Sequence, residues 1–133
     1  DRVPLLMADL FNWLKTSDVH PLIKSCVFHY EFEFIHPFQD GNGRMGRLWQ
    51  TVILKEWKEV FAWLPVESLI KENQSEYYNA LNSSDKEADS SSFIEFMLSL
   101  LLKTIEEIIE TEKKVTVKVS VKVTVNQKKL LKL

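Results

Sequence analysis

Four prolines punctuate this 133-residue chain, and three of them stand where a helical period begins. Pro4 and Pro21 suit first helical turns, because the ring presets φ and the missing N–H is one that a helix start leaves unpaired anyway. Behind Pro4, Leu5, Leu6, Leu10, Trp13 and Leu14 recur at three-to-four spacing, which predicts an amphipathic helix from Val3 to Lys15. Behind Pro21, a stripe of Ile23, Val27, Tyr30 and Phe34 predicts a second helix that the His36-Pro37 pair should end. His36 is thereby delivered to the helix C-terminus. Gly41 and Gly43 break the period, and Leu48, Val52 and Ile53 restore it over Arg44 to Trp57, so a glycine loop directly precedes a helix start. Pro65 opens a segment that is helix-compatible through Leu69, Tyr77, Ala80 and Leu81. The polar, serine-rich stretch from Asn82 to Ser92 reads as a loop, after which Ser92 and Glu95 offer a capping box for a long helix over Phe93 to Glu112, its stripe Phe96, Leu100, Ile105 and Ile109.

The last segment changes character. From Val115 to Val125 every odd position is Val and every even one Thr, Lys or Ser, the period of a half-buried strand. Such a strand needs a partner for its backbone, from sequence beyond this chain or from a second copy. The expected fold is therefore mainly α, a helical bundle over 1–112, with a short β-prone tail over 113–133. At 45% hydrophobic residues the chain can build one core, and a formal charge of -2 gives no global attraction to nucleic acid or to an anionic membrane. Cys26 is the single cysteine, which excludes an internal disulfide, and its apolar helical setting predicts a buried thiol. No apolar run is long enough to span a membrane, so a cytoplasmic protein with no membrane partner is expected. The first residue is not Met and the last falls within an apolar stretch, so both ends are expected to continue in a longer protein.

The run from His36 to Arg47 holds the parts of a phosphate site in strict order. Gly41 and Gly43 flank Asn42, allowing successive backbone N–H groups to form an anion-binding concavity ahead of the positive end of a helix. Arg44 and Arg47, three apart, present two guanidinium forks that suit phosphate oxygens. Asp40 supplies a hard oxygen ligand of the kind Mg2+ uses together with phosphates and water. His36 stands at the other lip, and imidazole is the side chain that takes up a proton near neutral pH.

His36-Pro37-Phe38-Gln39-Asp40-Gly41-Asn42-Gly43-Arg44-Met45-Gly46-Arg47 resembles the motif of the Fic family, His-x-Phe-x-Asp/Glu-Gly-Asn-Gly-Arg-x-x-Arg, at each of its defined positions. Eight specified residues would coincide by chance in roughly one window in 10^10. The lead-in HYEFEFIHPF and the later LIKENQSEYYNAL resemble the segments that flank this motif, so the similarity covers most of 3–110. It implies a Fic-type helical bundle and a protein adenylyltransferase. In it His36 would be the general base toward a target Ser, Thr or Tyr hydroxyl, which attacks the α-phosphate of ATP and displaces pyrophosphate. Asp40 would hold Mg2+; Gly41, Asn42 and Gly43 would form the anion hole; Arg44 and Arg47 would bind the β- and γ-phosphates; Phe38 would point into the core. The related Doc proteins, which phosphorylate, carry Lys where this chain has Gly43, so Gly43 favours nucleotidyl transfer. The family's target-positioning hairpin normally precedes a segment like DRVPLLMADL, and an N-terminal part including it is expected outside this chain.

Other features carry ordinary readings. His29 shares a helical face with His36 and reads as a structural histidine, His20 as a helix-start residue, and Tyr77 and Tyr78 as packing or lid residues. Ser68 to Asn73 fits the Ser/Thr-x-x-x-Glu-Gly/Asn pattern of the family's inhibitory glutamate, but the stretch resembles an ordinary helix, and Glu72 matters only if that helix turns toward Arg47. The tail with NQKKLLKL resembles either the entry to a winged-helix domain, which implies DNA as a partner, or a linker strand serving a homodimer. The alternatives to AMP transfer are a nucleotide-binding or DNA-linked regulatory module without transferase activity, and a Fic enzyme that uses another nucleotide or removes AMP.

Overall fold

The structure is a computed structural model that describes residues 1–130, with side chains to Lys118. Among the described residues it is helical throughout: α1 Val3–Thr16, α2 Pro21–Ile35, α3 Asn42–Trp57, a 3-10 turn Glu59–Trp63, α4 Val66–Glu72, α5 Gln74–Glu87 and α6 Ser91–Leu130. The predicted α-helical class holds. The chain divides into two compact units, one over residues 1–98 and one beginning at Ser99. No helix of the described residues is long and apolar enough to cross a membrane.

In the first unit α2 and α3 pack against each other, and α1 covers α2. Leu10, Phe28, Phe32 and Ile53 form the buried core, lined by Phe11, Trp49 and Met45. Phe28 is the hub, with ring centroids of Phe11, Trp49 and Phe32 at 5.7, 5.4 and 6.2 Å. A second aromatic cluster gathers Tyr30, His29 and Tyr77 around the buried Phe93 of α6.

The buried faces of α2 and α3 keep only Tyr30 and Ile53 of the predicted stripes. Ile23 and Phe34 are exposed, and α2 buries Ser25, Cys26, Phe28, His29, Tyr30 and Phe32. On α3, Leu48 and Val52 face outward while Asn42, Gly46, Gln50, Ile53 and Leu54 are inside. Polar residues replace apolar ones on these faces because they satisfy one another. Tyr77 Oη donates to His29 Nε2 at 3.0 Å, His29 Nδ1 donates to Gln50 Oε1 at 2.6 Å, and Gln50 Nε2 donates to Cys26 Sγ at 3.5 Å. The amide oxygen, which can only accept, sets the histidine tautomer. A fully paired buried chain costs little, whereas loss of one member strands its neighbours. Burial brings the His29 pKa down to about 4, so this histidine is structural and neutral. Desolvation also pushes the Cys26 thiol up to about 12, which makes it inert.

Two predicted elements are corrected. The Asn82–Ser92 loop is mostly helix, since α5 runs to Glu87 and only the stretch around Ala88, in the left-handed region at φ 50°, turns the chain. The polar residues there belong to a solvated helix face, and Ser84 points inward to accept from the Phe93 N–H at 3.1 Å. Asp89, rather than Ser92, caps α6, accepting from the Ser91 N–H and hydroxyl at 2.8 and 2.6 Å.

The β-prone tail is helix as well: α6 continues through Val115–Val125 to Leu130. No strand exists among the described residues to pair with it, whereas a helix satisfies its backbone internally. Propagating an existing helix skips the nucleation cost, and β-branched residues lose at most ~0.7 kcal/mol each relative to Ala. Thr104, Thr111 and Thr116 turn their hydroxyls back to carbonyls four residues earlier, at 2.8 to 2.9 Å. The end of the expected winged-helix entry, residues 131–133, lies outside the described residues.

Candidate active site

The site occupies the turn between α2 and α3. His20 opens α2 by accepting the Leu22 N–H on Nδ1 at 3.2 Å, the helix-start role expected of it. At the other end His36 is the C-cap, in the left-handed region at φ 54° and ψ 59°, its N–H bonded to the Phe32 carbonyl at 3.0 Å. A bulky residue adopts that conformation at a cost of about 1–3 kcal/mol, and such costs collect at functional sites. Its ring is exposed.

The turn returns at Gly41, whose φ of 85° suits glycine, and α3 starts at Asn42. Asn42 is buried, and its side chain clamps the turn in both directions: Oδ1 accepts from the Phe38 N–H at 2.8 Å, and Nδ2 donates to the Phe38 carbonyl at 2.7 Å. This clamp anchors the loop more than Phe38 does. Phe38 rests against Phe32 at 6.2 Å but stays 49% exposed, which corrects its expected place in the core. The N–H groups of Asn42, Gly43 and Arg44 form the open start of α3, where no intrahelical acceptor exists.

Asp40 is exposed, with Oδ1 accepting from the Gly41 N–H at 2.7 Å and Oδ2 3.7 Å from Arg44 Nη2. Oδ2 thus meets a cation at ion-pair distance but accepts no hydrogen bond among the described residues. That suits Mg2+, which takes one or two carboxylates and fills its remaining positions with phosphate oxygens and water. Arg44 folds back toward Asp40 and Gly41, while Arg47, largely buried, meets Glu67 of α4 in a two-point pair, Nε to Oε2 and Nη2 to Oε1, the latter at 2.8 Å. Both arginines line one cleft of about 250 Å3 together with Thr51 and Leu64 to Glu67. The structure therefore brings Asp40, Gly41, Asn42, Gly43, Arg44 and Arg47 around one helix start, with His36 across the turn.

Two residues escaped sequence reasoning. The pattern drew attention to Glu72, but α4 turns Glu67 toward Arg47, and a residue five positions later lies roughly 140° around the helix. Glu72 is exposed. Glu33 was the other: one turn beyond His29 on α2, it has its Oε1 buried without a hydrogen-bond partner, 4.0 Å from His29 Nε2. Burial raises its pKa, against the pull of Arg47 and His36. The i, i+4 spacing of His29 and Glu33 was the available signal. Tyr77 is buried beside them, as packing was expected to require, whereas Tyr78 is exposed.

Residues 1–54 match the model of the Fic/DOC family. Two curated relatives, each a protein adenylyltransferase Fic, come from Drosophila grimshawi and Drosophila melanogaster. They are 32% and 33% identical over 105 residues, 77% of this chain and 20% of each relative. This chain thus spans about a fifth of their length. The crystal structure of a Fic family protein from Desulfovibrio desulfuricans G20 superposes with a TM-score of 0.81 at 57% identity, over 84% of this chain and 34% of that one. Motif, turn geometry and these likenesses agree: the chain belongs to the Fic/DOC family.

Proposed function

We propose that this chain transfers AMP from ATP to a hydroxyl side chain of a protein target, releasing pyrophosphate. The observation that carries the reading is the α2–α3 turn, which sets an exposed histidine opposite an open helix N-terminus and two arginines. A nucleotide whose phosphates lie on that N-terminus meets the N–H groups of Asn42, Gly43 and Arg44, with Arg44 and Arg47 on the β- and γ-phosphates. Asp40 would hold Mg2+, which supplies charge neutralisation on the phosphates when bound. His36 takes the proton of the target Ser, Thr or Tyr; the oxygen so released bonds to the α-phosphorus, and the bond to the bridging oxygen breaks as pyrophosphate leaves. The rest of the rate comes from positioning and fixed charge. That the Drosophila relatives are named protein adenylyltransferases supports the choice of AMP over phosphate.

The test supplies a cell lysate and ATP labelled at either the α- or the γ-phosphate to the wild type and to His36→Ala. Proteins should gain the α-label and not the γ-label, and the variant should lose roughly 10^2- to 10^4-fold in rate. Equal labelling by wild type and variant, or transfer of the γ-label, sinks the reading. Nucleotide binding without any transfer would favour the non-enzymatic alternative.

A further inference from the structure

A buried carboxylate at the edge of an anion site opposes the site's charge unless something neutralises it. Glu33 Oε1 is sealed from solvent without a hydrogen-bond partner, and a Cβ placed on Gly43 or Gly46 would stand 3.3 or 3.4 Å from it. The oxygen is thus lodged against the start of α3. The groups that face it give it no proton. On α2, His29 Nε2 is 4.0 Å away, but its lone pair accepts the Tyr77 hydroxyl of α5, and the ring's one proton goes to Gln50 Oε1. Tyr77 has thereby committed its own proton to the ring. From α3, Arg47 attracts Glu33 by charge, yet the guanidinium makes its two-point pair with Glu67 of α4 instead. His36, at the end of α2, adds a weaker attraction.

A carboxyl so placed is better served as an acid. Protonated, Glu33 can donate to Tyr77 Oη, which keeps a lone pair after donating to His29, and the chain then runs from Glu33 through Tyr77 and His29 to Gln50 with every proton assigned. Burial already raises the Glu33 pKa against the attraction of Arg47 and His36. Phosphates at the start of α3 tip the balance further. They bring negative charge to the N–H groups beside Glu33 and engage Arg47, the cation that favours its ionised form, and a nearby like charge disfavours ionisation. We propose that Glu33 takes up a proton from solvent when ATP binds, completing the Tyr77–His29–Gln50 chain, and is thereby a positioning residue that makes ATP affinity fall as pH rises. The sign follows from linkage, since the bound state holds the additional proton. This rests on the nucleotide reading above.

Calorimetric titration of ATP with saturating magnesium, at pH 6.5 and 8 and in two buffers of different ionisation enthalpy, tests it. The parent is His36→Ala, which removes the imidazole that would also gain a proton beside the phosphates. It should bind ATP about fivefold more weakly at pH 8 than at pH 6.5, one linked proton permitting at most about tenfold per pH unit, and should take up a measurable fraction of a proton. Adding Glu33→Gln, a neutral mimic of the acid, should abolish both effects and bind ATP about fivefold more tightly than the parent at pH 8. Glu33→Leu should be equally independent of pH, because the effect lies in the charge. Melting midpoints of all variants separate binding loss from unfolding. The parent's pH slope persisting in Glu33→Gln, weaker binding by Glu33→Gln at both pH values, or no proton uptake by the parent overturns the proposal while leaving the nucleotide site standing. A folded wild type that binds no ATP at either pH overturns both.

Discussion

The α2–α3 pair and the later part of α6 invert the usual relation between polarity and burial. In α2 and α3, Ser25, His29, Asn42 and Gln50 are buried while Phe34 and Leu48 are exposed. In α6, Val115 and Val117, which an alternating pattern would bury, are exposed. The difference lies in partners. The buried polar groups of the first region find partners on α2, α3, α5 and the α2–α3 turn, so their desolvation is offset by hydrogen bonds. The valines of the second have no strand among the described residues to pack beside, and their backbone closes on itself as helix. Hydrophobic period reports burial only where the tertiary surroundings are uniformly apolar.

The same kind of deletion in the two regions gives the sharpest contrast. Phe28→Ala removes a fully buried ring at the centre of three aromatic contacts and should cost about 3–5 kcal/mol in urea unfolding. A cost under about 1 kcal/mol would mean that the first unit is loosely packed.

The polar network should show itself in acid. His29 has a folded pKa of about 4 against an ordinary 6.5, so between these values the unfolded chain binds a proton that the folded one refuses. Its contribution is complete above pH 6.5 and is lost as pH falls, by about 2–3 kcal/mol at pH 4.5. Glu33, raised by burial, works in the opposite direction, so Glu33→Gln should steepen the acid loss. The Glu67 carboxylate, held down chiefly by its hydrogen bond to Arg47, loses its contribution only at still lower pH. Unfolding free energies at pH 7.5, 6 and 4.5 check this, and a flat profile in both proteins would show His29 to be solvated.

The smallest effect belongs to the tail. Val115→Ala and Val117→Ala should change stability by no more than about 0.5 kcal/mol and should raise helical ellipticity slightly, since Ala is the better helix former. A fall in ellipticity would restore the strand reading.

How far the fold was legible follows from the same contrast. Pro4 and Pro21 located two helix starts, and the His36-Pro37 pair located the end of α2, because those effects are local to the backbone. The stripes on α2 and α3 misled, because whether Gln50 or Val52 goes inside depends on whether a histidine and a tyrosine wait there. At the site, His36, Asp40, Gly41, Asn42, Gly43, Arg44 and Arg47 were legible as one run of the chain, while Glu33 and Glu67, which the fold brings beside Gly43 and Arg47, were not. The clamp made by the Asn42 side chain was hidden, as was the identity of the glutamate on Arg47.

By itself the sequence determined the helical class and the His36 to Arg47 motif that points to the family, since these rest on backbone preferences and on residues close together in the chain. Only the tertiary structure decided that Glu67 rather than Glu72 reaches Arg47, that His29 is a neutral link in a buried chain, and that the valine repeat continues a helix. Each of these depends on which group is brought within a few ångströms from a distant part of the chain, or on whether any is, and spacing along the chain does not encode that meeting.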